Sequence, residues 1–138
     1  MRTFALRKST ITKAAGLIMV ASAATLAASG SASAAGIYTA TTTDSGAHGG
    51  QASFNTQTDV LKVCDTQADG LRAYGQIGYY DSNSNWLGSH TDAAGGNGTC
   101  VSINTESLKT GVKFTVTACL KNGANGALQY CKNVNGTE

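Results

Sequence analysis

The stretch Leu71-Arg72-Ala73-Tyr74-Gly75-Gln76-Ile77-Gly78-Tyr79-Tyr80 alternates, with Leu71, Ala73, Gly75, Ile77 and Tyr79 on one side and Arg72, Tyr74, Gln76 and Tyr80 on the other. A period of two in Tyr- and Ile-containing sequence is that of a strand with one buried and one wet face. The segment 112–120 repeats the pattern, with Val112, Phe114, Val116, Ala118 and Leu120 sharing a face. No segment beyond residue 35 sustains a period of 3.6, and Glu106-Ser107-Leu108-Lys109 has room for a single helical turn.

Outward from these two segments, strands are expected at 37–43, 50–55, 60–65, 71–80, 86–89, 99–103, 112–120 and 127–133. They are separated by Asp44-Ser45-Gly46, Asp69-Gly70, Asp81-Ser82-Asn83-Ser84-Asn85, Gly95-Gly96-Asn97-Gly98 and Asn122-Gly123. These residues make Asx turns or tolerate a positive φ. Eight short strands with tight turns predict an all-β protein, a small antiparallel β-sandwich, with a small β-barrel as the alternative. The run from Thr91 to Gly98 reads as the longest apolar-poor connection and as mobile. The chain has no proline, so edge strands must be guarded in other ways, by outward Lys113, Lys121 or Lys132.

The first residues have a different character. Arg2, Arg7, Lys8 and Lys13 precede an apolar run from Ala14 to Ala28, and Ser31-Ala32-Ser33-Ala34-Ala35 follows. Basic, apolar and small-residue parts in that order describe a secretory signal peptide at 1–34, cut after Ala34 or Ala35. Ser22, Thr25, Ser29 and Gly30 dilute the apolar run, which disfavours a membrane anchor. A single exported domain is then expected at 35–138, of a size that buries a modest core. The whole chain carries ten basic and eight acidic residues, but four of the basic ones belong to the leader. From residue 35 on, six scattered cations face eight acids. That distribution makes no phosphate-tracking surface, so nucleic acid is not an expected partner. No membrane association is expected after cleavage, and the domain is expected to be a monomer without a cofactor.

Four cysteines in an exported chain imply two disulfides. Cys64, Cys100, Cys119 and Cys131 include no closely spaced pair of the kind that zinc sites use. Cys119 falls on the Thr-rich parity of its strand. Beyond the turn, Leu128 and Tyr130 take the inward parity, which leaves Cys131 outward. Both cysteines then share one face of one hairpin, which predicts Cys119–Cys131. Exclusion predicts Cys64–Cys100.

The segment Leu61-Lys62-Val63-Cys64-Asp65-Thr66-Gln67-Ala68-Asp69-Gly70, running on into Leu71-Arg72-Ala73-Tyr74-Gly75-Gln76-Ile77, resembles a group of small exported actinobacterial proteins of the Streptomyces type. These share an L-x-V-x-D-T-x-A-D-G segment followed by a long alternating strand, and the leader and the cysteine-containing last hairpin look similar too. The resemblance implies export, β architecture and the disulfide pattern, and it assigns no activity.

Four groups of residues offer chemistry. Asp65 and Asp69, with Thr66 and Asp59 nearby, supply oxygens for a calcium ion, or else close Asx turns on backbone N–H groups with Gly70 at positive φ. His48 and His90 are the only histidines. Ser89-His90-Thr91-Asp92 has the groups of a hydrolytic triad, but sequence adjacency is not triad geometry, and loop polarity accounts for both histidines. Asp81, Asp92 and Glu106 offer carboxylate pairs for glycoside cleavage, in a domain with little material for a cleft. Tyr74, Tyr79, Tyr80 and Trp86 surround the 81–85 turn. Such aromatics among Asn and Ser suit recognition of proteins or sugars, whereas as core plugs Trp86 and Tyr79 would carry no function.

The reading that follows is a secreted, non-enzymatic binding module. Its target is an extracellular protein, with hydrolase inhibition as one form, or a cell-wall glycan. A passive envelope or spore-surface component and a small secreted hydrolase or toxin are the alternatives.

Overall fold

The computed structural model describes residues 36–138. The signal peptide read at 1–34 and its cleavage positions lie outside the described residues. The chain forms eight strands: β1 Ile37–Thr41, β2 Gly50–Asn55, β3 Val60–Asp65, β4 Arg72–Tyr80, β5 Trp86–Gly95, β6 Cys100–Asn104, β7 Lys113–Lys121 and β8 Leu128–Thr137. They build two four-stranded antiparallel sheets, sheet A in the order β1-β2-β3-β6 and sheet B in the order β5-β4-β7-β8. Stacked face to face, the two sheets are the sandwich that the alternation predicts. The edge strands meet in pairs across it, β1 along β8 and β6 along β5.

The inward parity of β4 and β7 is as read. Ala73, Ile77 and Tyr79 are buried opposite Leu120, Val116 and Phe114. Ala52, Phe54, Leu61 and Val63 face them from sheet A. Phe114 takes the edges of Tyr38 and Phe54, with ring centroids 4.8 and 5.2 Å away. At Gly75 the sheets approach closely: a Cβ there would collide with the Val63 methyl groups and stand 3.1 Å from Ala52 Cβ. A glycine in mid-strand weakens the strand, and here close packing accounts for it.

Two connections are organised by buried carboxylates. Asp44 accepts hydrogen bonds from the Thr42 hydroxyl and from Gly49 N at 2.8 Å, and its carbonyl accepts from His48 Nδ1 at 3.0 Å. This folds the β1–β2 loop back on itself, with His48 at φ 57°. Asp65, 1% exposed, ends β3 and accepts from Gln67 N at 3.3 Å and from Gly96 N at 2.9 Å. It thereby ties the crossover between the sheets to the β5–β6 turn.

Three expectations need correction. The run from Thr91 to Gly98 is not a free loop, because β5 extends through Gly95 in register with Arg72. β8 likewise runs on to Thr137 rather than ending near residue 133. Leu128 and Tyr130 are not core residues; they are 46% and 50% exposed. The register between β7 and β8 shifts between Ala118 and Leu120, which pair with Lys132 and Gln129. One extra residue in β8, with Tyr130 at φ 54°, reverses the side-chain parity before it and turns Leu128 outward.

The disulfides are Cys64–Cys100 and Cys119–Cys131, as parity predicts. Their Cα separations of 4.1 and 4.2 Å suit directly opposed, non-hydrogen-bonded positions on neighbouring strands. Each lies on the outer face of its sheet and clips an edge strand, β6 or β8, to its inner neighbour. Neither crosses the sandwich; the two layers are joined by side-chain packing, by the connections that cross between the sheets and by the bond from Thr43 N to the Tyr130 carbonyl at 2.9 Å.

Candidate functional site

The outer face of sheet B brings the aromatic residues together. Reading across β5, β4, β7 and β8, one row is Thr91, Gln76, Thr117 and Asn133, and the next is Ser89, Gly78, Thr115 and Asn135. The row at the end of the sheet is Trp86, Tyr80, Lys113 and Thr137. The middle rows contain only hydroxyls, amides and glycine.

Trp86 sits at this face because of a bulge. The β4–β5 register shifts between Tyr79, which pairs with Gly88, and Tyr80, which pairs with Trp86, leaving Leu87 as the extra residue. Uninterrupted alternation from Ser89 and Thr91 would turn Trp86 toward the core; the added residue re-aims it outward. The turn before it is held by Asp81, whose carboxylate accepts from Asn83 N, Asn85 N and Asn85 Nδ2 at 2.8–2.9 Å. These bonds, those from Asn85 foremost, together with the Lys113 charge hold the Asp81 carboxyl below its ordinary range.

The Trp86 ring meets Tyr80 edge-on at 5.2 Å and covers Gly78. It remains 55% exposed, so it is not a core plug. Beside Tyr80 lies a depression of about 420 Å³ whose rim includes Ser84, Lys113, Thr115 and Asn135. Tyr74, half-buried, stands toward the other end of the face with the Lys121 ammonium 5.7 Å from its ring centre. Tyr79 does not belong with these three. It is 7% exposed on the inner face, and its hydroxyl has no hydrogen-bond partner among the described residues. The adjacent Thr105 hydroxyl donates instead to the Asp59 carbonyl. Burial, foremost, raises the Tyr79 pKa.

The other candidates are dispersed. Asp65 serves the turns described above, and Asp69 accepts from Leu71 N at 2.8 Å. The Thr66 hydroxyl donates to the His48 carbonyl, and Asp59 accepts from Ser107 at 2.6 Å. These oxygens are used one by one on local hydrogen bonds, and no group of three or more His, Cys, Asp or Glu side chains converges among the described residues. Asp81 is committed to its turn, and Asp92 accepts from the adjacent Ala93 N. His90 packs against the edge of Tyr79 in a separate cleft of about 380 Å³ that Glu106 also lines. Neither Asp81 nor Asp92 lines that cleft.

Sequence reading missed the polar rows between the aromatics. Their signal was present in the outward parity of β4 and β7, where Gln76, Thr115 and Thr117 alternate with core residues; it needed the strand register to become a surface.

Neither a protein-family model nor a curated protein matches the chain. Among solved structures it is similar to an endonuclease/exonuclease/phosphatase from Beutenbergia cavernae, at 20% identity and a TM-score of 0.42, over 73% of this chain and 27% of that one. The chain spans about a quarter of that protein's length, and a likeness of this size carries no argument about activity.

Proposed function

We propose that the protein is an exported, non-enzymatic binding module whose contact surface is the outer face of sheet B. The observation that carries this reading is Trp86, held by a bulge and a hydrogen-bonded turn against Tyr80 while more than half exposed. Large aromatics are normally drawn into cores, and a rigidly seated exposed one is the kind of residue that dominates recognition surfaces. Two disulfides suit an oxidising compartment. Together with the leader and the likeness of the 61–70 segment to exported actinobacterial proteins, they support secretion.

The test is capture on immobilised protein, exposed separately to conditioned medium and to purified cell wall, with Trp86→Ala alongside. The reading expects a ligand that is retained by the native protein and lost by the variant, while the melting temperature of the variant stays within a few degrees. Equal retention by the two proteins would place recognition elsewhere. Unfolding of the variant would show that Trp86 is structural.

A further inference from the structure

We infer that the ligand of this face is an uncharged, extended polysaccharide chain of β-1,4-linked hexopyranose units, lying along β4 from Trp86 and Tyr80 toward Tyr74; the inference rests on the binding reading above. Three observations carry it.

The first is the pairing of aromatic and polar surface. A hexopyranose with equatorial hydroxyls has an apolar C–H face and a hydrogen-bonding perimeter. Trp86 and Tyr80 supply rings for the former, as amphipathic aromatics do where one side of a contact is apolar and the other wet. Gln76, Thr91, Thr117 and Asn133 supply amides and hydroxyls that both donate and accept for the latter.

The second is charge. The face has three cations, all in the rows at its two ends. Arg72 Nη2 donates to the Ala93 carbonyl at 3.2 Å, Lys113 Nζ donates to the Ser82 carbonyl at 3.1 Å, and Lys121 lies over Tyr74. No ionisable side chain occupies the two middle rows. An anionic polymer or an acidic protein would meet no charge partner along the middle of this surface, whereas a neutral chain needs none there.

The third is shape. From Tyr74 to Tyr80 the strand advances ~20 Å at the usual rise of an extended chain, which is about the length of four such sugar units. The depression beside Tyr80 opens on the same face, giving room for the substituents of a terminal ring. Sheet A offers no counterpart. Its outer face carries Thr39, Ser53, Lys62 and Ser102 around the Cys64–Cys100 bond and has no aromatic residue.

The experiment is retention of the oxidised protein on cellulose and on chitin, with polygalacturonate and heparin gels as anionic controls. Binding of the soluble hexasaccharides is then followed by titration calorimetry. The expected result is retention on one or both neutral polymers that persists in 0.5 M salt. Trp86→Ala should weaken hexasaccharide binding about thirtyfold, the effect of removing a large aromatic anchor; Gln76→Ala should weaken it less, and Lys62→Ala on sheet A should leave it unchanged. Preference for cellulose or for chitin identifies the sugar. Retention only on the anionic gels, or loss of binding in salt, would overturn the inference, as would absence of binding to every polymer. Capture of a protein through Trp86 with no polysaccharide binding would overturn this inference while leaving the binding-module reading intact; ligand binding that ignores Trp86 would overturn both.

Discussion

Trp86 lies over Gly78 on the outer face of sheet B so closely that a β-carbon on Gly78 would stand 2.7 Å from Cζ3 of the indole. The glycine is the seat of the tryptophan: it leaves the outer surface of β4 flat where a side chain would prop the ring away. The bulge at Leu87 aims the indole, and Gly78 accepts it.

Gly78→Ala is therefore expected to lift Trp86 without disturbing the inner face. Because Trp86 is the only tryptophan, its fluorescence reports the change directly. Emission should shift to the red and ligand binding should weaken, with a loss of stability below about 1 kcal/mol, since alanine is at least as good a strand residue as glycine. An unchanged spectrum would mean that the ring is free to settle elsewhere.

Tyr79 and Tyr80 are neighbours with opposite duties. Tyr79→Ala removes a core ring and should cost about 3–5 kcal/mol in chemical denaturation. Tyr79→Phe should be neutral or stabilising, because the hydroxyl that it deletes is buried without a partner. Tyr80→Ala should leave the denaturation midpoint within about 1 kcal/mol of native and impair binding. Reversal of the two alanine results would invert the faces assigned to β4.

Each disulfide restrains its own edge strand. On loop entropy alone, Cys64→Ala/Cys100→Ala should cost about 4 kcal/mol and Cys119→Ala/Cys131→Ala about 3 kcal/mol. Hydrogen exchange separates them further. The first pair should accelerate exchange in β6 and spare the aromatic face; the second should fray the start of β8 beside Tyr74. Cys119 is only 1% exposed, so the second pair also leaves a small void on that face.

Acid weakens two loops by the same route. Burial pushes the Asp44 carboxyl up, but the Thr42 hydroxyl and the Gly49 N–H outweigh it, so the folded pKa lies below the ordinary 3.8. Asp81 is lowered from 3.8 as well. A depressed carboxyl contributes stability above its unfolded pKa and loses it as pH falls through the folded value. The contribution of both groups is thus complete above about pH 4 and declines below it. Asp44→Asn and Asp81→Asn should each flatten the melting temperature against pH on the acid side, with Asp81→Asn also releasing the turn that presents Trp86. An acid limb as steep as that of the native protein in both variants would assign the decline to other carboxylates.

Much of the architecture was legible because alternation is a local property. β2 and β3 begin and end where residues 50–65 announce them, and the inner face of β4 follows from every second residue of 71–80. Strand lengths were less legible. The scarcity of apolar residues from Thr91 to Gly98 made the second half of β5 look like a loop, yet as an edge strand beside β6 it tolerates polar side chains that a central strand would not. Among the site residues, Tyr74 and Tyr80 could be placed on the outer surface by parity alone, whereas Trp86 could be read either way.

What the sequence determined by itself is the alphabet of the fold: a period of two, turn residues between the strands, and two cysteines on one face of the last hairpin, whose pairing leaves the other two to each other. Only the tertiary structure decided where that parity is broken. An extra residue at Leu87 and another near Tyr130 each reverse the faces of a strand. Neither has a local signature, because a bulge forms when the register demanded by the opposite strand differs by one from the register that the turn delivers. The first reversal turns Trp86 from the inward parity to the exposed outer face of sheet B, and the second turns Leu128 out of the core. The rows of Gln76, Thr117 and Asn133 exist as a surface for the same reason: residues distant in sequence become neighbours only when hydrogen bonding between strands sets them side by side.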